Sequence, residues 1–411
     1  MELSRQNDSS TFLMVWRLAL LSFILAGLTG FIYRLGLITN LPEGIEFANL
    51  RHAHSHLMFF NWICPPLMIL MAGSVFRDPE ASGLKPFRPC MITMIVLGFL
   101  TYPLFLMYGY QPVAVGRAEI PLAAAVSGLI MVTWYWFAWL YYRYRKERDD
   151  RLSLLLFDTA LLALILSSLG AWGVTVAQFT AAPGSLIPTA LTGFFLSVFT
   201  EGWVVLAAMG ILVMLSEDKL PEIKLRSGWY YVPVLFGSML LFPLSLSRPM
   251  LTGGMVFASY LGLTLAAAGL LIFMLFIWKT AVRSGFTGKA IVAFFSLKVM
   301  FLLAALMPHG IWPGEHGVRV LYLHTLLLGL ASAVIIESFS RKRQAAAKTL
   351  FILSVCLILV TLSMISGHWP AGLTPNGLIY WVVAAAALPV IPAGVLLAGT
   401  FNLSEQVEKK D

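Results

Sequence analysis

The stretch YYRYRKERDDRLSLLL, from Tyr141 to Leu156, sets Arg143, Arg145, Lys146, Arg148 and Arg151 between two long apolar runs. A basic cluster of this kind is either a nucleic-acid contact or the charged turn between two membrane helices. The flanks decide. Residues 119–142 on one side and 152–178 on the other are each long enough to cross about 30 Å of hydrocarbon as a helix.

Outward from this turn the same alternation recurs. Apolar runs lie near 12–34, 53–76, 88–110, 119–142, 152–178 and 187–215, then near 228–247, 252–280, 288–307, 317–339, 348–366 and 377–400. The chain is 59% hydrophobic and 12% charged, with a mean hydropathy of +0.83. A water-soluble domain of that balance would expose too much apolar surface, so the bilayer is its natural solvent. The net charge of +8 therefore reflects topology, and no nucleic-acid partner is expected. The first run lacks a small-residue cleavage site and reads as a retained helix. Cys64, Cys90 and Cys356 sit in or beside apolar runs, without disulfide or metal-type spacing. The expected fold is all-α, a single polytopic domain over 1–411 with twelve transmembrane helices and short tails at 1–11 and 401–411.

The loops orient it. Arg77, Lys85 and Arg88 follow the second run, and the Arg143–Arg151 cluster follows the fourth. Lys219, Lys224 and Arg226 follow the sixth, Lys279, Arg283 and Lys289 the eighth, and Arg341, Lys342, Arg343 and Lys348 the tenth. Odd-numbered loops are poorer in Lys and Arg, so the positive-inside rule puts both termini in the cytoplasm. The setting is a bacterial-type inner membrane with lipid around the bundle. All seven histidines (His52, His54, His56, His309, His316, His324 and His368) then fall on the outer side.

Imidazole binds haem iron, copper and zinc, and haem in a bundle takes one histidine from each of two helices at matching depth. His324 lies roughly 8–12 Å into its helix at 1.5 Å per residue. His54 or His56 reaches a comparable depth if the second helix begins a turn early, near 46–49. His52 and His56 share a face at i, i+4, while His54 points away by about 160–200°. One cofactor therefore cannot take all three. His54 or His56 with His324 are the expected axial ligands, and His52, His309 and His316 are candidates for a second metal.

Glu201 and Lys298 lie near the middle of their runs, where an ionised side chain is costly and faces the bundle interior. They could relay protons or pair structurally. The alternative function is accordingly a proton-coupled secondary transporter using Glu201 and Lys298, with the histidines as outer gate. Against it, the two halves show no paired Gly/Pro-broken helices. Glu337 can meet Arg341 at i, i+4, and Asn61 with Cys64–Pro65–Pro66 marks a packed kink.

Twelve spans, histidines opening the second and a histidine in the tenth resemble subunit I of the haem–copper oxidases and nitric oxide reductases. RHAHSHLMFF (51–60) and VRVLYLHTLLLGLASAVIIESFSR (318–341) are more similar still to the NnrS family of haem- and copper-associated membrane proteins linked to nitric oxide tolerance. TEGWV in the sixth span resembles a glutamate-bearing helix of nitric oxide reductases. The resemblance implies haem b, with copper as a second candidate, in electron transfer or the nitric oxide response. It implies a redox partner on the outer side, and Arg51 and Arg319 as holders of haem propionates. The sixth and seventh spans carry no histidine, and Tyr322 stands where a high-spin haem ligand would fall. A complete binuclear reductase centre is therefore not implied.

Overall fold

The structure is a computed structural model describing residues 10–76, 84–145, 151–182, 184–216, 230–246, 248–281, 285–307, 315–340 and 342–408. Helices make up nearly all of it. In chain order they are α1 (Ser10–Leu35), α2 (Phe47–Val75), α3 (Arg88–Tyr108), α4 (Leu122–Tyr144), α5 (Leu152–Thr180), α6 (Ile187–Ser216) and α7 (Tyr231–Leu240). Then come α8 (Gly253–Ala281), α9 (Phe286–Leu306), α10 (His316–Phe339), α11 (Ala345–Met364), α12 (Leu378–Ala387) and α13 (Val390–Glu408). Between α3 and α4, β1 (Val113–Val115) and β2 (Ala118–Ile120) form an antiparallel hairpin in which Ala114 faces Glu119. Gly116 turns it with φ of 64°, a left-handed conformation that glycine adopts without a Cβ penalty.

Among the described residues eleven helical segments are long and apolar enough to cross a membrane, with α12 and α13 counted as one. The chain is a multi-pass α-helical membrane protein. The seventh expected span, near 228–247, is the departure. Its α-helical part among the described residues is the ten-residue α7, which rises about 15 Å, half of a hydrocarbon core. Pro243 ends the α-ladder there, and Phe242–Ser245 continues as a 3₁₀ turn. A second departure is at the end of the chain, where α13 stays helical to Glu408 across most of the expected tail.

The chain clusters into two compact units. The first comprises residues up to 145, 335–361 and from 371 on; the second comprises 146–334 and 362–370. In the first, Phe12 and Trp16 of α1 stack on Phe339, with ring centroids at 4.3 and 4.8 Å. Phe23 packs on Trp62 at 4.6 Å and on Phe351 at 5.1 Å. Arg17 Nε and Nη2 donate to Thr400 Oγ1 and O at 3.1 and 2.8 Å, tying α1 to α13. In the second unit α7 and α8 approach through small residues. A Cβ on Gly237 would stand 2.8 Å from Ala266 N, and one on Gly269 would stand 2.3 Å from Tyr230 O. Where lipid is the alternative neighbour, such close backbone packing carries helix association.

Three spans differ from the rest. The windows of α2, α6 and α10 are 89%, 89% and 78% buried, against 39–56% for the others. Each holds one π-helical segment, at Met58–Ile63, Val198–Val204 and Thr325–Ala331. The first precedes Cys64–Pro65–Pro66, whose prolines lack the N–H an α-ladder needs, so the ladder is irregular at the place where the sequence suggests a kink. π segments of this kind recur at functional sites, and all three adjoin candidate residues.

Candidate functional site

α2 begins at Phe47, a turn and a half before the apolar run, which brings the histidine trio inside the helix. The trio splits between faces as its spacing predicts. His54 turns to α1, where its Nδ1 meets Ala26 O at 2.8 Å. A carbonyl only accepts, so Nδ1 carries the proton and Nε2 keeps the lone pair. Gly30, one turn further along α1, makes room for the ring. A Cβ there would lie 3.1 Å from His54 Cε1 and 3.3 Å from Nδ1.

His52 and His56 turn instead toward α3. The His56 ring lies 3.9 Å from that of Phe105, and His52 lies 6.0 Å from the same ring and 4.8 Å from Tyr110. His56 Nδ1 is 3.3 Å from Ser127 Oγ, whose own hydrogen goes to Ala123 O at 2.9 Å. His56 is therefore held by a longer, weaker bond than His54. Arg51, three residues before His54, is exposed.

The second unit holds the remaining candidates. His324 is half-buried, and its Nδ1 donates to Val320 O at 2.7 Å, leaving the lone pair on Nε2 here too. Arg319 Nη1 reaches Ser245 O at 3.5 Å. His316 is the first residue of α10 and is exposed. His368 Nε2 meets Glu315 Oε2 at 2.9 Å, pinning the 362–370 segment to the start of α10. His309 and Arg341 lie outside the described residues. The Glu337 carboxylate accepts a bond from Lys348 Nζ at 2.9 Å.

Glu201 and Lys298 are brought together. Lys298 Nζ donates to Glu201 Oε2 and, at 2.8 Å, to Tyr322 Oη. Tyr322 Oη donates to Glu201 Oε1 at 2.5 Å, closing a triangle between α6, α9 and α10. The three residues are only 3%, 1% and 8% exposed, so their polar groups rely on one another rather than on bulk water. Phe301 meets the Tyr322 ring edge-on at 5.7 Å and fixes its direction.

Residues that sequence reasoning did not place in the site are Ala26, Gly30, Ser127 and the ring of contacts through Tyr322. Glycine four residues after Ala26 is the one trace of the first pair in the sequence. Among the described residues, His54 and His324 are the two imidazoles whose Nδ1 is engaged by a backbone carbonyl, at 2.8 and 2.7 Å. A haem iron asks one imidazole nitrogen of each ligand helix, and Nδ1 engaged by a carbonyl is the arrangement that orients such a ligand. Among the described residues no group of three or more His, Cys, Asp or Glu side chains is placed to hold a metal ion by itself. Compared with known proteins, the chain matches no family model and no curated protein.

Proposed function

We propose that this multi-pass membrane protein binds haem b, with His54 and His324 each as a candidate imidazole ligand, and serves redox chemistry or the nitric oxide response, in the manner of the NnrS-like and oxidase-like proteins it resembles. The observation that carries the reading is the shared state of two imidazoles. Each gives its Nδ1 proton to a backbone carbonyl, at 2.8 Å for His54 and 2.7 Å for His324, so in each the lone pair lies on Nε2, the nitrogen a haem iron would take. Carbonyl bonding of this sort fixes the tautomer, aims the ring and raises the basicity of the coordinating nitrogen. His54 is favoured over His56 because its bond is shorter and its ring is seated on a glycine. Haem iron held by imidazole supplies reversible one-electron exchange.

The protein's own groups would do the rest. Arg51 and Arg319 precede their histidines on the same helices by three and five residues and would hold the carboxylates of a haem. The loop charges support an outer position for the histidines, and the resemblance supports a redox partner on that side. Three-ligand copper binding has no set among the described residues to support it, so copper enters only through His52, His309 or His316 as partial donors.

Absorption spectra of the detergent-purified protein, oxidised and dithionite-reduced, test the reading. A Soret band with sharp reduced bands at stoichiometric haem is expected, lost in His54→Ala and in His324→Ala and kept in His56→Ala. A colourless preparation from haem-replete cells, or variants with the full wild-type spectrum, would remove it. Metal analysis of the same sample separates haem iron from copper.

A further inference from the structure

The triangle of Glu201, Lys298 and Tyr322 has a property that neither an ordinary ion pair nor a haem site explains. Among the described residues the side-chain hydrogen bonds of these three groups run only to one another. They use three hydrogens: two on Lys298 Nζ and one on Tyr322 Oη. A neutral amine has two N–H donors and satisfies both. An ammonium has three, and the third finds no acceptor among the described residues in a site that is 1% exposed at Lys298. The ammonium gains attraction to the Glu201 carboxylate; the amine loses that attraction but leaves no donor unmade. Two large opposing effects meet at one nitrogen, and the same geometry accommodates both states.

We propose that the triad is a membrane-embedded proton-exchange site, with Lys298 Nζ as the atom that gains and loses the proton and Glu201 and Tyr322 as its fixed frame. On release, one Nζ–H bond breaks, the electron pair stays on nitrogen, and the proton passes to a water molecule that becomes hydronium. Loading is the reverse, and nothing is oxidised or reduced. The triad changes from net neutral to net negative on release. The π segment Val198–Val204 carries Glu201, and Tyr322 lies three residues before the second π segment of this unit, so two sides of the frame rest on irregular backbone. The other ionisable side chains on the helices packed against the triad include Asp158, Tyr231, Tyr260, Lys289, Arg319 and His324. The chemistry needs no metal and would operate with or without haem.

Nitrogen-15 labelling of lysine side chains in the whole detergent-solubilised protein, followed by magnetic resonance across about pH 5 to 10, reads the nitrogen directly. One lysine resonance is expected to switch between its ammonium and amine positions in that range. Lys298→Arg, which keeps a charge but cannot exchange it, should delete that resonance alone. Tyr322→Phe removes one acceptor and should move the midpoint of the switch, and it assigns the resonance even if the arginine variant fails to fold. A Lys298 nitrogen that stays ammonium throughout would make the triad a structural ion pair, and one that stays amine throughout would leave nothing to exchange; either overturns the proposal. A switching resonance that ignores Tyr322→Phe and survives Lys298→Arg belongs to another lysine and overturns it too.

Discussion

Gly30 is a small residue with a large expected effect. Gly30→Ala sets a methyl 3.1 Å from His54 Cε1 and 3.3 Å from its Nδ1, so the ring must give by a few tenths of an ångström, which is expected to disturb its bond to Ala26 O. Overpacking of this sort costs about 1–3 kcal/mol, and the expected readout is a weakened or altered haem spectrum beside a lower thermal midpoint. An unchanged spectrum would detach His54 from the ligand role. Glu201 and Lys298 make a second test. Each neutralising change, Glu201→Gln or Lys298→Met, leaves the other group buried without its counter-charge and with Tyr322 as its remaining partner, at a cost of about 3–5 kcal/mol, and the double variant should recover much of it. A thermal-stability cycle with no coupling would contradict the contact. At this scale the sequence is legible where solvation is extreme. A carboxylate and an ammonium in mid-span need partners, so Glu201 and Lys298 could be paired by reasoning alone. The bond from His54 to Ala26 could not, because every residue has a carbonyl and nothing in the sequence says which one is within 2.8 Å. Tyr322 was equally silent, since a tyrosine in a span is as often an interfacial anchor as a hydrogen-bond partner.

Asn61 shows how an element is held in an irregular conformation. Its Nδ2 donates to Ile95 O at 3.2 Å across to α3, and its Oδ1 is buried without a partner among the described residues. Gly98 gives it the room, for a Cβ there would stand 1.7 Å from that oxygen. Gly98→Ala is therefore expected to destabilise the protein by roughly 1–3 kcal/mol, and adding Asn61→Ala should restore most of the loss by removing the clash. Thermal unfolding of both variants checks this, and a single variant as stable as wild type would refute it. Helix existence and type were readable from apolar length, because a bilayer tolerates so few backbone solutions. The π segments were not, although Pro65 and Pro66 pointed to the first. The seventh span misled because hydropathy counts apolar residues and ignores where Pro243 ends the ladder.

The orientation of the whole chain rests on its loops. Arg117 in the β1–β2 turn follows the third span, and Arg145 follows the fourth, so the two should lie on opposite sides of the membrane. On intact cells, Arg117→Cys should react with an impermeant thiol reagent and Arg145→Cys should not; the reverse pattern would turn the histidine face inward. The enclosed spans carry a consequence for how the molecule breathes. A π turn encloses a wider ring than an α turn and gives up contact along its axis, and in α10 Ser332 Oγ donates at 2.8 Å to the Leu327 carbonyl, which also accepts the Ser332 N–H. Burial and amide protection normally rise together. In α2, α6 and α10 they should part company. Deuterium should enter the backbone at 58–63, 198–204 and 325–331 ahead of the α turns on either side, so that the least solvated helices carry the soonest-exchanging seams.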